Sequence, residues 1–192
     1  MIRTRAFILY MYDKNQKILN QYLDIFQNLS KKYTLKIIDD INMFPKRFDN
    51  SPIMKEYVVF HFRECLSNGG YVLLAFDKET LVFRGCVQKG LFKSKILGRC
   101  YLAIPSNAYY IEYCETHPLH RGKKIYPWVL YEICRKLDGH DIYIATDLEN
   151  VPSQRVIEKC GFVRKEIVVV LNFLFFTKIL HKVNYFGESL IK

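Results

Sequence analysis

Apolar residues along this chain change their spacing several times, and each change marks an element. MIRTRAFILYMYDK reads as a strand: its short apolar stretch meets Asp13 and Lys14 early and lacks the small-residue cleavage site of an export signal. In QKILNQYLDIFQNLSKK, Ile18, Leu19, Tyr22, Leu23 and Phe26 recur at helical spacing. Thr34 to Asp39 predicts a short strand, and Met54 to Leu66 a helix ended by Asn68, Gly69 and Gly70. Tyr71 to Phe76 and Leu81 to Val87 flank Asp77-Lys78-Glu79-Thr80, which predicts a hairpin with a four-residue connection. A basic loop is expected from Lys89 to Arg99.

The second half has a clearer rhythm. Ala108 to Thr116 reads as a strand, and the segment after it as a helix through Tyr126, Val129, Leu130, Ile133 and Leu137, stopped by Asp138-Gly139. Asp141 to Asp147 is a strand, and NVPSQRVIEKC a helix capped by Asn150 with Gly161 just past its end. An apolar strand region starts at Phe162; beyond Leu171 both a strand and an apolar-faced helix fit. Alternating strands and helices predict an α/β layer. The most apolar stretch, Ile167 to Phe176, is about half the ~20 residues of a membrane helix, so a core segment is expected and no membrane span.

Composition narrows this. With 192 residues, half of them apolar, the chain predicts a single domain over 1–192 with a sizeable core. Lys and Arg number 29 against 19 acids, a formal charge of +10 that favours anionic partners. The six cysteines form no C-x-x-C pair and no Cys-His cluster at zinc spacing, so buried thiols in a reducing cytoplasm are expected, with no metal. Lys89, Lys93, Lys95, Arg99 and the aromatic surplus raise a basic nucleic-acid binder as an alternative. The aromatics fall mostly at core-periodic positions and no such motif is present, so no nucleic acid is expected.

The most informative stretch is Thr116 to Trp128, between a strand and a helix. A helix start presents unpaired N–H groups and the positive end of its dipole. Gly122 permits a tight turn there, Arg121, Lys123 and Lys124 add cations, and Pro127 is tolerated in a first turn. The spacing matches neither the Walker A loop nor the dinucleotide fingerprint. Thr116-His117-Pro118 precedes Arg121-Gly122-Lys123-Lys124-Ile125-Tyr126, and Asn150-Val151-Pro152-Ser153 precedes Glu158-Lys159-Cys160-Gly161-Phe162. These two stretches together resemble the GNAT superfamily of acyl-CoA-dependent N-acyltransferases. There V-x-P runs into R-x-x-G-x-G/A at a helix start, and a later helix carries N-x-x-S before E-K-x-G-F. The resemblance covers about residues 108–171 and extends more weakly to 71–87. The motif-bearing core is thus about 71–171, with 1–33 as a candidate N-terminal extension.

The resemblance implies an α/β (α+β) fold with a mixed, mostly antiparallel central sheet flanked by helices, splayed between the parallel strands at about 108–116 and 141–147. It implies acetyl-CoA as donor, with coenzyme A as product. Backbone groups of Cys114 and Thr116 would pair with the pantetheine amides. The turn of Arg121, Gly122, Lys123, Lys124, Ile125 and Tyr126 would hold the diphosphate, and Asn150 with Ser153 would contact the pantetheine arm. Lys124 and Tyr126 depart from the family, which has Gly and then Gly or Ala there; they either leave the backbone cradle intact or crowd it. The tyrosine that often serves as general acid before E-K-x-G-F is absent, because Ile157 stands in its place.

Amide formation needs a neutral amine, yet a lysine-like amine of pKa ~10.4 is only roughly 0.04% neutral at pH 7. A base is therefore needed, and Glu112, Glu115, His117 and His120 are the candidates. Strand alternation puts Glu112 on one face with Cys114 and Thr116, and Glu115 on the other. The resemblance implies a base or water-holding residue four positions before the V of V-x-P, whose place Thr116 takes here, so Glu112 is the expected catalytic base, directly or through a water. Cys114 has no evident histidine partner, so direct attack in a ternary complex is expected over an acyl-cysteine. The expected partner is a small-molecule amine, with an anionic acceptor included: the turn from Gly122 to Pro127 is similar to those of members acting on amino sugars, so an amino sugar or nucleotide-linked amino sugar is the expectation. A GNAT-shaped module that binds acyl-CoA or a partner without turnover is the alternative. Both a monomer and a homodimer remain open.

Overall fold

The computed structural model describes residues 2–14, 22–45, 48, 51–90, 93–97, 99–173 and 176–191, with the backbone alone for 93–95. Among the described residues, ten strands and four α-helices run in the order β1 (Ile2–Tyr12), α1 (Leu23–Lys32), β2 (Thr34–Ile38), α2 (Glu56–Ser67), β3 (Tyr71–Asp77), β4 (Thr80–Lys89), β5 (Lys93–Leu97), β6 (Cys100–Ala103), β7 (Ala108–Thr116), α3 (Ile125–Lys136), β8 (Asp141–Asp147), α4 (Val151–Lys159), β9 (Phe162–Phe173) and β10 (Phe176–Asn184). Eight strands form one sheet in the order β10-β9-β1-β8-β7-β4-β3-β2. Every pairing in it is antiparallel except β7 with β8. The mixed, mostly antiparallel sheet flanked by helices is the expected class.

Several details differ from expectation. Within the stretch 1–33, residues 2–12 are no appendage: β1 lies inside the sheet between β8 and β9. The reason is local, since Phe7, Ile8, Leu9 and Tyr10 form a continuous apolar run and all four are buried, as befits a strand covered on both faces. The expected helix through Ile18 and Leu19 begins, among the described residues, at Leu23; Ile18 and Leu19 lie outside them. The β3–β4 hairpin is tighter than expected, because Asp77 pairs with Thr80 and only Lys78 and Glu79 connect the strands. The expected basic loop instead contains the β5–β6 hairpin, although Leu91, Phe92, Gly98 and the side chains of Lys93 and Lys95 lie outside the described residues. Beyond Leu171 the chain remains strand through β9 and β10, with Leu174 and Phe175 outside the described residues.

The sheet carries a core on each face. On one face α1, α3 and α4 cover Ile8, Tyr10, Leu73, Phe83, Ile111 and Ile144. Ile125, Val129 and Ile133 of α3 recur at helical spacing and are fully buried there, each contributing about 1.5–3 kcal/mol. On the other face α2 packs on Val72, Leu74 and Cys86, and the β5–β6 hairpin on Phe7, Leu9 and Tyr110. All six cysteines are free. Among the described residues no helix is long and apolar enough to cross a membrane.

Candidate active site

The site begins where two strands part. β7 and β8 pair in parallel only from Ala108 opposite Asp141 to Ile111 opposite Ile144. Beyond that point β8 offers β7 no ladder partner, while β7 stays paired to β4 through Thr116. A bulge accompanies the parting: Cys86 pairs with Glu112 and Arg84 with Glu115, so Tyr113 and Cys114 together oppose Gly85. Tyr113 takes a positive φ of 54°, uncommon for a side chain of its size. Gly85 allows the close approach, since a Cβ there would stand 3.0 Å from Cys114 Sγ.

The bulge corrects the strand arithmetic. Glu112 does not share a face with Cys114 and Thr116; the extra residue reverses the alternation and puts Glu112 and Glu115 on the α2 face, opposite Cys86 and Arg84. Arg84, itself buried, secures this arrangement by donating to the carbonyls of Ile53 and Tyr113 and pairing with Glu115.

Glu112 lies in a polar cluster. Its Oε1 is 2.6 Å from His61 Nε2 and accepts from Gln88 Nε2 at 3.2 Å; the two ionisable side chains are 10% and 18% exposed. The His61 ring stacks on Tyr113 with centroids 4.2 Å apart, which fixes its plane. His61 carries no motif, yet it stands three residues after buried Val58 and four before buried Cys65, on the apolar stripe of α2. That spacing was its only sequence signal. His61, Cys86 and Glu112 place donor atoms within 4.8 Å of one another, a set that can hold a metal ion. Burial, then Cys65, pushes the Cys86 thiol well above its ordinary value, whereas a metal ligand must be the thiolate.

Two cavities flank the parted strands. The larger, about 660 Å³, is lined by Cys114, Thr116, Arg121, Gly122, Lys124, Ile125, Tyr126, Asn150 and Ser153 among others. The expected turn residues thus converge, except Lys123, which does not line it. Gly122 and Lys124 both have positive φ, 76° and 60°, and the first-turn N–H groups of α3 follow directly. Gly122 faces open space, as a ligand cradle requires. Arg121 folds back to donate to the Thr116 carbonyl, and Lys124 Nζ lies 5.5 Å from the centre of the Tyr22 ring. Asn150 caps α4 by accepting from the Ser153 N–H at 3.3 Å. His117 accepts from the Leu119 N–H. Burial, then Lys123, lowers the pKa of His120. His117 thus serves the turn, while His120 lines the larger cavity.

The second cavity, about 340 Å³, is lined by Arg5, Tyr110, Glu112, Ala145, Asp147 and, from the β5–β6 hairpin, Ile96 and Leu102. Arg5 pairs with Asp147 at 3.0 Å and donates to the Ile96 carbonyl, tying the hairpin to β1. The two cavities share Cys114, Tyr126, Asn150 and Ser153. At this junction burial pushes the Cys114 thiol up to about 12. The Tyr126 ring stacks on Phe83, and burial raises its phenol well above the ordinary value.

Comparison with known proteins points to one family. The family model described as "Acetyltransferase (GNAT) family" matches residues 35–162. No protein of curated function matches the sequence. Among solved structures, a GNAT-family acetyltransferase from Colwellia psychrerythraea superposes with TM-score 0.53 at 13% identity, over 88% of this chain and 56% of its own. A GCN5-related N-acetyltransferase-like protein from Streptococcus suis gives 0.51 at 15%, over 88% and 61%. A tandem GNAT protein from the clavulanic acid biosynthesis pathway gives 0.53 at 12%, over 96% and 55%. The chain therefore spans little more than half the length of these structures.

Proposed function

We propose, because this chain belongs to the GNAT acetyltransferase family, that it transfers the acetyl group of acetyl-CoA to a primary amine of a small acceptor. The observation that carries this reading is the parting of β7 from β8 beyond Ile111 and Ile144, with the anion turn on one side and Glu112 on the other. The free edge of β7 at Cys114 and Thr116 suits the amides of a pantetheine arm. The turn Arg121, Gly122, Lys123, Lys124, Ile125 and Tyr126 suits a diphosphate, through its backbone N–H groups, and Asn150 and Ser153 flank the arm. When bound, the coenzyme supplies an activated acyl group as a thioester.

The chain's own residues do the rest. Glu112 takes the proton of the acceptor ammonium, and His61 and Gln88 hold its carboxylate in place. The cavity beneath the β5–β6 hairpin offers one cation, Arg5, and two anions, Glu112 and Asp147. That set suits an amine that also carries an anionic group, as a nucleotide-linked amino sugar does, and the +10 charge favours its approach. A second reading, a module that binds acyl-CoA without turnover, draws on the bulk of Lys124 and Tyr126.

Attack is direct. A thiol held up to about 12 stays protonated through the neutral range, so Cys114 is no nucleophile. Cys114→Ala is expected to keep kcat/KM within about an order of magnitude, because only a small packed group is lost. Initial rates with acetyl-CoA and amine varied together should give intersecting lines. Parallel lines, with an acetylated protein intermediate seen by mass, would overturn both the direct mechanism and this reading of Cys114.

A further inference from the structure

The cluster around Glu112 offers more than a base and its supports. Cys86 and Gln88 are two residues apart on β4, so their side chains share a face, and Cys86 stands opposite Glu112 in the ladder. Cys86 Sγ lies 4.0 Å from Glu112 Oε1, and His61 Nε2, from α2, lies 2.6 Å from it. Gln88 Nε2 is 3.2 Å from the same oxygen and 3.3 Å from the His61 nitrogen. Gln88 Oε1 is buried with no hydrogen-bond partner among the described residues. A half-turn of the amide brings that idle oxygen to the corner its nitrogen now fills, so that four donors surround one point. Zinc bonds of about 2.0–2.3 Å in a tetrahedron set ligand separations of about 3.3–3.8 Å. The four contacts, from 2.6 to 4.0 Å, bracket that range. We infer that His61, Cys86, Gln88 and Glu112 form a site for a zinc-like divalent cation, and that the bound ion withholds Glu112 from acetyl transfer.

The donor types choose the ion. A thiolate and an imidazole favour zinc over magnesium or calcium, which take oxygen ligands. One thiolate and one carboxylate neutralise a divalent charge, as a site this buried requires. On binding, the Cys86 thiol gives its proton to water, and His61 offers Nε2 as a neutral ring with its proton on Nδ1. Burial favours the protonated thiol, so protons compete with the ion, which exchanges as an inhibitor rather than staying as a resident cofactor. Glu112 lines the smaller cavity, which gives the ion a way in. The ligands come from three separate elements, so no Cys-His spacing announces them in the sequence. The inhibitory effect rests on the acetyl-transfer reading above; the site itself does not.

The test titrates Co²⁺, a coloured stand-in for zinc, into the reduced full chain. One equivalent should give the intense visible bands of tetrahedral cobalt together with thiolate-to-cobalt charge transfer in the near ultraviolet, and Zn²⁺ should bleach both. Cys86→Ser and Cys86→Ala should lose the charge-transfer band, whereas Cys65→Ser, which alters the neighbouring thiol, should keep it. In the acetyl-transfer assay, saturating Zn²⁺ should lower the wild-type kcat/KM by about 10²-fold or more, the loss expected when a positioned base is withheld, and a chelator should restore it. The Cys86 variants should need at least about tenfold more Zn²⁺ for the same inhibition. A wild type without the charge-transfer band, or a band that survives in both Cys86 variants, overturns the site. Equal inhibition of wild type and variants, or full activity with the site filled, overturns the effect on Glu112. Cobalt bound in this way by a wild type that acetylates no amine would contradict acetyl transfer and leave the site standing.

Discussion

Glu112→Gln is expected to lower kcat/KM for acetyl transfer by about 10²- to 10⁴-fold, the range for loss of a positioned base. The amide is nearly isosteric and can still meet His61 and Gln88, so folding and coenzyme affinity should hardly change. The pH dependence separates a base from a binding group. Below the amine's pKa of ~10.4 its neutral fraction grows about tenfold with each unit that the pH rises, so the variant should recover activity as pH rises. A variant with the wild-type rate and an unchanged alkaline profile would remove Glu112 from the mechanism. Loss of coenzyme affinity as well would instead make it a structural residue.

Arg84→Met should have the largest effect on stability. Arg84 is 5% exposed, donates to the Ile53 and Tyr113 carbonyls and pairs with Glu115, so one side chain holds the entry to α2, the bulge and the end of β7 together. Methionine fills much of the apolar volume but leaves both carbonyls without this donor and the carboxylate without its partner. Leaving buried carbonyls without this donor costs about 1–3 kcal/mol each, and the partly exposed Glu115 carboxylate adds less, which chemical denaturation would show as a lower midpoint. Because Arg84 clamps the carbonyl of the bulged residue, coenzyme affinity should fall as well. A change below about 1 kcal/mol would mean that the bulge is held by the β4 ladder alone.

What could be read from the sequence follows the range of the interactions. The turn from Arg121 to Tyr126 and the Asn150 cap are local: each depends on residues within a few positions, and a left-handed turn and a helix cap form at those places. The place of β1 between β8 and β9 depends on pairing partners well over a hundred residues away, so periodicity could make it a strand but could not place it. The continuous run Phe7 to Tyr10 did carry a hint of burial on both faces. The bulge at Tyr113 left no mark in the residue types, and it moved Glu112 to the opposite face from Cys114. His61 meets Glu112 only through tertiary packing of α2 on β4 and β7. The β5–β6 hairpin was hidden because its charged residues mimic a solvated loop.

These pieces meet in one claim, that the gap between β7 and β8 joins a coenzyme groove to an amine cavity. The most direct measurement is release of free thiol from acetyl-CoA by the wild-type chain across a panel of amino sugars, nucleotide-linked amino sugars and polyamines, beside calorimetric binding of coenzyme A. The account predicts binding in every case and thiol release that depends on the added amine, with the acetyl group recovered on its nitrogen. Coenzyme A binding with no release for any amine would contradict it.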